Sequence, residues 1–570
     1  MVGRISLVAC LGLVASLNAH PTTDSFGNEA RGAASQYRCR DVPVSDQSYD
    51  YIVVGGGTAG IVTAQRLVET GKTVLLLERG GPSYYSTGGT VTVPWNDTTT
   101  FYDVPGYFYV NAFAGFFGSQ CTDVPELAGC VLGGGSAING MQFIRPPKSD
   151  FENWPVGWRW EDGIDAAAER AYQREPGTTM PSSDGKFYDS AVYDVMSEEL
   201  AAMGWSKVDS NEEPDRKTKA YGIPAIQVIN GRRSGPAISY LPLAEGKPNF
   251  TLKLHTKVIR AVRTNSTVTG VEAQSESGER LIYPVTPGTG KVIFAAGTMS
   301  TPRLLFHSGI GPRDQIEMAR LSPDNVTLPP EDAWIESPVG IVRDHTLYLM
   351  EFEVQGGMDA LPLEEFASPS QENIDLFARG AGPLVQSSRL NTFTSVEDAT
   401  GHKRYFVTHW TSVAENSIFG SLQMTHGSTS TGRLGLTAEG NTVWTQSPWL
   451  QTEGDKEALV VAIDEMLAMS RKEGSRLVWT GYGGENATGA DIVENVAAQS
   501  GVHMTGTAVI GTDDGSKGGK AVVDLDTKVY GTDNLFVVDA SMHADLPTGN
   551  TVAIVIVAAE RAAEKIIALG

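Results

Sequence analysis

The stretch YDYIVVGGGTAGIVTAQRLVETGKTVLLLERGGPS, residues 49–83, decides the fold. Its β-branched run Tyr51–Val54 predicts a buried strand, and Thr58–Glu69 has helical character. Thr73–Leu77 predicts a second buried strand, which ends at Glu78. Because the chain has 63 glycines in 570 residues, a G-x-G-x-x-G spacing arises roughly once by chance. The order strand, glycine turn, helix, strand and acid is what predicts a dinucleotide site.

Each part of this unit has a physical task at such a site. Gly55, Gly57 and Gly60 let the backbone approach a pyrophosphate at the N-terminus of the helix. Free N–H groups and the helix dipole favour negative charge there. Glu78 can accept hydrogen bonds from a ribose diol.

Composition and charge limit the kinds of partner that the chain can bind. The 570 residues, 41% of them hydrophobic, suit a globular protein with two or more domains or one elaborate fold. The net charge of -23 argues against nucleic acid and against an anionic membrane surface as partners. Beyond the N-terminus, no segment of the sequence is long and apolar enough to predict a membrane span.

The N-terminus MVGRISLVACLGLVASLNAH predicts a secretory signal peptide over residues 1–19. Arg4 supplies the positive region, Ile5–Leu17 the apolar stretch, and Leu17-Asn18-Ala19 the cleavage site. Residues 20–48 form a polar, irregular lead-in. Five N-x-S/T sequons agree with a secreted, extracellular glycoprotein: Asn96, Asn249, Asn265, Asn325 and Asn486.

The cysteines predict one disulfide and no metal site. Cys10 leaves with the signal peptide, and no pair of the others has metal-ligand spacing. Cys121 and Cys130 could bridge across a short loop, which leaves Cys39 unpaired.

The predicted secretion also indicates which redox cofactor the site holds. An exported enzyme cannot count on a pool of free nicotinamide cofactor, so it must carry its redox group with it. The dinucleotide site is therefore predicted to hold FAD.

Four further segments have clear secondary-structure patterns. Residues 188–203 and 455–472 are predicted to be helical, and Thr251–Val262 is predicted to be one strand. The last helix, Thr551–Leu569, follows a turn and is apolar over Val552–Ala559.

Further motifs occur along the chain. VLGGGSAINGM (131–141) and GTMSTPRLLFHSGIGP (297–312) are glycine-rich, and each is either an ordinary turn or a loop close to something flat or charged. The others are NGRRSGPAISYL (230–241), Asp344-His345, STGRLGL (430–436), VHMTGTAVIG (502–511) and NLFVVDASMHADLPTGN (534–550).

Together and in this order, the motifs resemble the glucose-methanol-choline (GMC) family of oxidoreductases, from about Tyr49 to the C-terminus. Within that family they look most like the flavin domain of fungal cellobiose dehydrogenases. The resemblance implies an α/β FAD-binding, Rossmann-like, doubly wound domain plus an α+β substrate domain with a mainly antiparallel sheet. It also implies that FAD-binding segments 49–150, 246–335 and 496–570 alternate with substrate segments 151–245 and 336–495.

The resemblance also implies which residues contact FAD. Ile138 stands where some relatives attach FAD through histidine, so FAD is expected to be non-covalent. The lead-in is too short for a haem domain, so no haem is expected within the chain. The cofactor-binding residues are predicted to be Gly55, Gly57, Thr58, Ala59, Gly60, Glu78, Arg79, Gly133, Gly135, Ser136, Asn139, Gly140, Val258, Asp539, Ala540, Asn550 and Thr551.

The resemblance gives His503 and Asn550 the catalytic roles. Oxidation of an alcohol removes a proton from O–H and a hydride from carbon, and a neutral imidazole suits the proton. An amide cannot accept that proton, but Asn550 can hydrogen-bond the same hydroxyl and hold it in line.

These features predict a secreted FAD-dependent dehydrogenase that oxidises a hydroxyl of a sugar or oligosaccharide, a small-molecule substrate. Its electrons would pass to an external acceptor: a quinone, oxygen or a separate haem protein. One alternative is a GMC enzyme of aryl or furan alcohols or of a secondary-metabolite intermediate. Gly501 and Val502 favour this alternative, because cellobiose dehydrogenases have polar residues just before the histidine. A third alternative is a non-redox cyclase or binding protein with structural FAD.

Overall fold

A computed structural model describes residues 42–114 and 118–570 of the chain. The predicted signal peptide, most of the lead-in and Cys39 lie outside the described residues, so the expectations about them stay predictions. The predicted disulfide between Cys121 and Cys130 is confirmed.

The nucleotide sheet has five strands, all parallel to their neighbours. Their side chains are fully buried in four of the five strands, which explains the continuous apolar runs of the sequence. In spatial order the strands are Leu535–Val537, Lys291–Phe294, Tyr51–Val54, Val74–Leu77 and Phe250–Lys253.

Two helices share the hydrophobic core of this sheet. The glycine-turn helix, Thr58–Val68, follows the first strand, and the C-terminal helix, Val552–Ala568, packs against it. Both were predicted to within one residue at each end.

The prediction of a single strand over Thr251–Val262 is wrong. Phe250–Lys253 ends the nucleotide sheet, and Thr256–Thr264 begins a separate antiparallel meander with Thr267–Ser275 and Arg280–Pro284. Between the two strands His255 has a φ of 52°, which turns the chain. The β-branched pattern continues across this turn, so it could not reveal the change of sheet.

The large sheet lies in the second layer, and its neighbouring strands are antiparallel except for one edge pair. One face packs on helices Ala191–Ala202 and Glu453–Arg471 through side chains such as Trp410. In spatial order the strands are Leu477–Trp479, Thr346–Val354, Ser417–Met424, Lys403–Ala414, Leu390–Glu397, Ala220–Gly222 and Ser206–Lys207.

Smaller elements connect the two layers. The other α-helices are Tyr107–Ala114, Gly135–Ile138, Ile164–Arg174, Pro236–Ser239, Leu241–Glu245, Thr301–His307, Arg313–Ala319, Leu363–Ala367, Gln371–Ala378 and Gly489–Asn495. The other strands are Thr92–Val93, Asn96–Thr100, Val228–Ile229, Arg232–Arg233, Ile341–Val342, Gly432–Leu436, Thr442–Gln446 and Gln499–Ser500. Within residues 42–114 and 118–570, no helix has the length and apolarity needed to span a membrane.

The chain alternates between the layers. The nucleotide sheet takes its strands from segments 49–150, 246–335 and 496–570, and segments 151–245 and 336–495 supply most of the large sheet. Gln499–Ser500 departs from this division, because it pairs with Thr346 and Leu347 of the large sheet. The boundaries themselves stay predictions.

A buried carboxylate joins the C-terminal helix to its neighbours. Glu560 is fully buried and forms ion pairs with Arg66 of the glycine-turn helix and with Arg170, the latter at 3.3 Å. The Tyr240 hydroxyl donates to its other oxygen at 3.0 Å. Removing a buried partner of this kind leaves the remaining charges uncompensated.

We therefore predict that Glu560→Ala destabilises the protein by about 3 kcal/mol and lowers its apparent melting temperature by several degrees. Glu564→Ala is the control, because Glu564 pairs with Arg170 and Arg561 at the surface and should cost about 0.5 kcal/mol or less. Equal melting temperatures for the two variants would contradict the prediction.

Candidate active site

A cleft of about 1350 Å³, including its open mouth, runs along the carboxyl ends of the parallel strands. This edge is where ligands bind in open α/β sheets. The N-termini of both the glycine-turn helix and the C-terminal helix line it through Thr58 and Thr551. His503 lines the same cleft.

Glycines bring the backbone of the cleft together. A Cβ on Gly55 would lie 2.4 Å from the Ala295 carbonyl oxygen, and one on Gly134 would lie 2.9 Å from the Cα of Gly57. By contrast, a Cβ on Gly135 or Gly297 would meet no atom within 4 Å, and both residues line the cleft. The glycines therefore leave a smooth backbone cradle that fits a long, flat and charged group such as FAD.

Two buried carboxylates hold the loops that form the cleft. Glu78 accepts backbone N–H groups of Gly56 and Gly80, each at 2.7 Å. Asp539 accepts from the Gly297 N–H at 2.9 Å and from the Thr301 hydroxyl at 2.7 Å. Burial raises the pKa of both groups. Both carboxylates line the cleft as well as bonding protein groups, and their predicted contact with the cofactor stays a prediction.

Most of the predicted cofactor residues line the cleft. They are Gly55, Gly57, Thr58, Ala59, Glu78, Arg79, Gly135, Val258, Asp539, Ala540 and Thr551.

The other six predicted residues are not among those that line the cleft: Gly60, Gly133, Ser136, Asn139, Gly140 and Asn550. Gly60 is needed for packing, since its Cβ would fall 1.9 Å from the Gly55 carbonyl oxygen. The Asn139 amide oxygen accepts from Met141 N–H and from the Arg233 guanidinium. For these residues direct contact with the cofactor stays a prediction.

A disulfide-closed flap, residues 121–130, forms one wall of the cleft. Cys121, Leu127, Ala128 and Gly129 line the cleft within this flap. Asp123 ties the flap to the body of the domain.

Asp123 pairs with two arginines that also line the cleft. Arg79 contacts its carboxylate at 2.9 Å and Arg303 at 2.8 Å. Although burial opposes ionisation, these guanidinium groups lower the pKa of Asp123 to about 2. The disulfide therefore closes the flap, and the two ion pairs anchor it to the rest of the domain.

His503 belongs to a buried polar network. The Asn550 amide lies 3.2 Å from His503 Nε2, so the structure brings the two predicted catalytic residues together. On its other side, His503 Nδ1 lies 3.0 Å from His345 Nδ1 and 3.2 Å from the Gln423 carbonyl oxygen. His345 Nε2 lies 3.1 Å from the Pro547 carbonyl oxygen.

These partners determine where the protons are. The Pro547 carbonyl can only accept, so His345 donates from Nε2, and its Nδ1 in the neutral ring is an acceptor. His503 must then donate from Nδ1, both to His345 and to Gln423. The Nε2 of His503 is left with its lone pair, which receives the Asn550 amide N–H. This tautomer is the one that can accept a proton at Nε2.

Both imidazoles are neutral over the ordinary pH range. Burial lowers the pKa of His503 to about 4. Burial and then the neighbouring His503 lower the pKa of His345 well below its usual value. A base must be unprotonated to act, so this environment keeps His503 ready to accept a proton.

Asp344 orients the loop that carries His503. Its carboxylate accepts from the His503 backbone N–H at 2.8 Å, from the Ser500 hydroxyl at 2.6 Å and from the Trp449 indole at 3.0 Å. In the sequence, Asp344-His345 stands out only as part of a motif, and Gln423 was not predicted. Gln423 reaches His503 through strand pairing, and nothing in its local sequence marks it.

A long cleft that fits a dinucleotide, with a neutral imidazole on its wall, is the arrangement that a flavin-dependent alcohol oxidoreductase needs. Comparison with known families identifies the family. The model described as "GMC oxidoreductase" matches residues 49–340, and its C-terminal counterpart matches residues 428–559. The chain belongs to the GMC oxidoreductase family. It is therefore an FAD-dependent oxidoreductase that acts on CH–OH groups.

Individual relatives are distant but match over nearly the whole length. The chain is 26% identical to an oxygen-dependent choline dehydrogenase of Vibrio vulnificus, over 91% of this chain and 94% of that protein. It is 25% identical to a glucose dehydrogenase [FAD, quinone] of Drosophila melanogaster, over 93% and 88%. A formate oxidase crystal structure has the same fold, with a TM-score of 0.71, 19% identity and coverage of 92% and 99%. The particular likeness to cellobiose dehydrogenase stays a prediction.

We predict that opening the flap speeds the loss of cofactor. The double variant Cys121→Ser/Cys130→Ser, and separately Asp123→Asn, should release FAD on the order of tenfold faster, because each loosens a wall of the cleft. Flavin fluorescence after dilution measures the release. Asp359→Asn, an exposed carboxylate away from the cleft, is the control. Release at the unchanged rate in both flap variants would contradict the prediction.

The pH dependence of flavin reduction should show the lowered pKa of His503. The protonated ring cannot act as a base, and its pKa is about 4. The rate should therefore stay flat from about pH 8 to pH 5 and fall tenfold per unit below about pH 4. Stopped-flow absorbance measures this profile, and His503→Ala should lack the acid limb. A midpoint near 6.5 would mean that burial does not perturb this group.

Proposed function

We propose that the protein is a secreted dehydrogenase that oxidises a hydroxyl of a neutral sugar or oligosaccharide. His503 Nε2 takes the hydroxyl proton, and the Asn550 amide holds the same oxygen in line. FAD, when bound in the cleft, supplies the hydride acceptor at flavin N5. The proposal rests mainly on the tautomer of His503, which carries its lone pair at Nε2, the atom that the Asn550 amide contacts.

The polar surroundings of His503 support a hydroxylated substrate. Gln423 contacts His503, and the same sheet face carries His409 and Asn391. These groups are amides and neutral imidazoles. Burial lowers the pKa of His409 to about 3, so it carries no charge at neutral pH. Neutral donors and acceptors suit the hydroxyls of a sugar better than the charge of an ionic substrate.

The cleft residues would hold FAD without a covalent bond. Gly55, Gly57 and Thr58 would meet the pyrophosphate, and Glu78 and Val258 would lie on the adenosine side. Thr551, at the N-terminus of the last helix, would stabilise negative charge on the reduced flavin. Ile138, which has no nucleophile, supports non-covalent binding, so acid precipitation should release all of the flavin.

Secretion and glycosylation are part of this proposal. Three sequon asparagines are exposed: Asn265, Asn325 and Asn486. Asn249 is a poorer acceptor, because its amide donates to the carbonyls of Val68 and Lys72. Expression in a secreting host followed by peptide mass mapping would locate the glycans and the N-terminus. Intracellular retention of an unprocessed chain would refute secretion.

The decisive test is anaerobic reduction of the bound flavin by a panel of sugars and aryl alcohols. We predict that glucose or a cello-oligosaccharide bleaches the visible flavin band, and that His503→Ala lowers the rate by about 10²–10⁴. Mixing the reduced enzyme with a quinone, with oxygen or with a haem protein then identifies the acceptor; we propose that oxygen is the poorest. Bleaching by no compound would favour a non-redox role.

One observation favours a second function, oxidation of an aryl or furan alcohol or of a secondary-metabolite intermediate. Val502 lines the cleft next to His503, has a φ of 58° and is 39% exposed. An apolar side chain there suits a ring without hydroxyls. Bleaching by aryl alcohols alone would select this function.

A further inference from the structure

His409 is a half-buried histidine that the catalytic scheme does not use. It lies on the strand Lys403–Ala414 and pairs directly with Asn391. Gln423 pairs with Val407, two residues away, so His409 and Gln423 are diagonal neighbours on one face of the sheet. Gln423 in turn contacts His503. His409 therefore lies on the wall of the large sheet that faces the catalytic histidine.

Hydrogen bonds fix the tautomer of His409. The Asn391 amide N–H donates to the Gln142 carbonyl oxygen at 2.6 Å. The Asn391 oxygen is therefore the atom that lies 2.9 Å from His409 Nδ1, and His409 must donate from Nδ1. In the neutral ring, Nε2 then carries a lone pair and no proton.

This lone pair is buried and unused. Among the described residues, His409 Nε2 has no hydrogen-bond partner. The Asn550 amide oxygen is likewise buried without a partner in that part of the chain. Asn550 contacts His503, and His409 is close enough for His503 to lower its pKa. Leaving a buried acceptor unpaired is costly, so these two atoms favour a ligand that donates hydrogen bonds.

We propose that His409 determines substrate specificity by accepting a hydrogen bond at Nε2 from a second hydroxyl of the substrate. This hydroxyl is on the carbon next to the one that is oxidised. The inference rests on the proposed function, because it assumes that His503 deprotonates the first hydroxyl. It narrows the substrate class to vicinally hydroxylated alcohols, of which sugars are one kind.

The energetic argument concerns the analogue that lacks the second hydroxyl. A site that is built to hydrogen-bond a hydroxyl rejects such an analogue strongly, because its own buried polar group is left unpaired. A simple alcohol would thus leave His409 Nε2 without a partner, as would an aryl alcohol without a second hydroxyl.

The experiment compares matched substrate pairs by anaerobic stopped-flow, with the holoenzyme. One pair is glucose and 2-deoxyglucose, and the other is 1-phenylethane-1,2-diol and 1-phenylethanol. The wild type should favour the hydroxylated member by at least tenfold in reduction rate over Kd. His409→Leu should bring this ratio close to one, and His409→Gln, whose amide oxygen can accept, should retain part of it.

Controls separate specificity from folding. Thr408→Val alters the neighbouring side chain on the opposite, core face of the same strand, so it should leave the ratio unchanged. FAD content and melting temperature show whether each variant folds. A structural role for His409 would change both members of a pair equally and leave their ratio as it is.

The outcomes also separate this inference from the proposed function. If only the aryl pair reduces the flavin, the sugar proposal fails while the His409 ratio is still measured. If neither pair reduces it, the same ratio comes from Kd values in flavin difference spectra. A wild-type ratio near one, or the wild-type ratio in His409→Leu, overturns the inference.

Discussion

The buried ion pairs of Glu560 fix the helix on which the rest of the site depends. At this point the C-terminal helix is joined to Arg66 of the glycine-turn helix and to Arg170. The same helix begins just after Asn550 and Thr551. Thr551 lines the cleft, and Asn550 contacts His503. Because the helix is rigid, fixing it at Glu560 also fixes its N-terminal end. The Glu560 carboxylate therefore holds the Asn550 amide in place relative to the glycine turn.

Proton placement in the site is decided by the backbone. The Pro547 carbonyl accepts from His345, and this single acceptor sets the tautomer of His345 and then of His503. Pro547 lies three residues before Asn550. One short loop therefore supplies both the Asn550 amide and the carbonyl that leaves His503 Nε2 unprotonated. Such a network specifies one arrangement because every alternative leaves a buried polar group unpaired.

The cofactor half of the molecule could be predicted from the sequence because its signals are local. A strand, the glycine turn and Glu78 lie within one short stretch, and helix and strand periods give their bounds. The substrate half could not be predicted in this way. Gln423 reaches His503 only through strand pairing, and the turn at His255 interrupts a continuous β-branched pattern. The bonds of Asn139 to Met141 and Arg233 were also out of reach, because a motif does not show which protein groups a side chain bonds.

The interleaving of the two layers has a consequence for biogenesis. The nucleotide sheet needs Leu535–Val537, and the cleft is walled by residues as late as Val555. During synthesis, nearly five hundred residues must therefore follow the glycine turn (Gly57 to Val555) before all the residues that line the cleft have been made. Capture of the cofactor is thus a post-translational event, and until then the apolar strands Tyr51–Val54 and Val74–Leu77 need protection from aggregation.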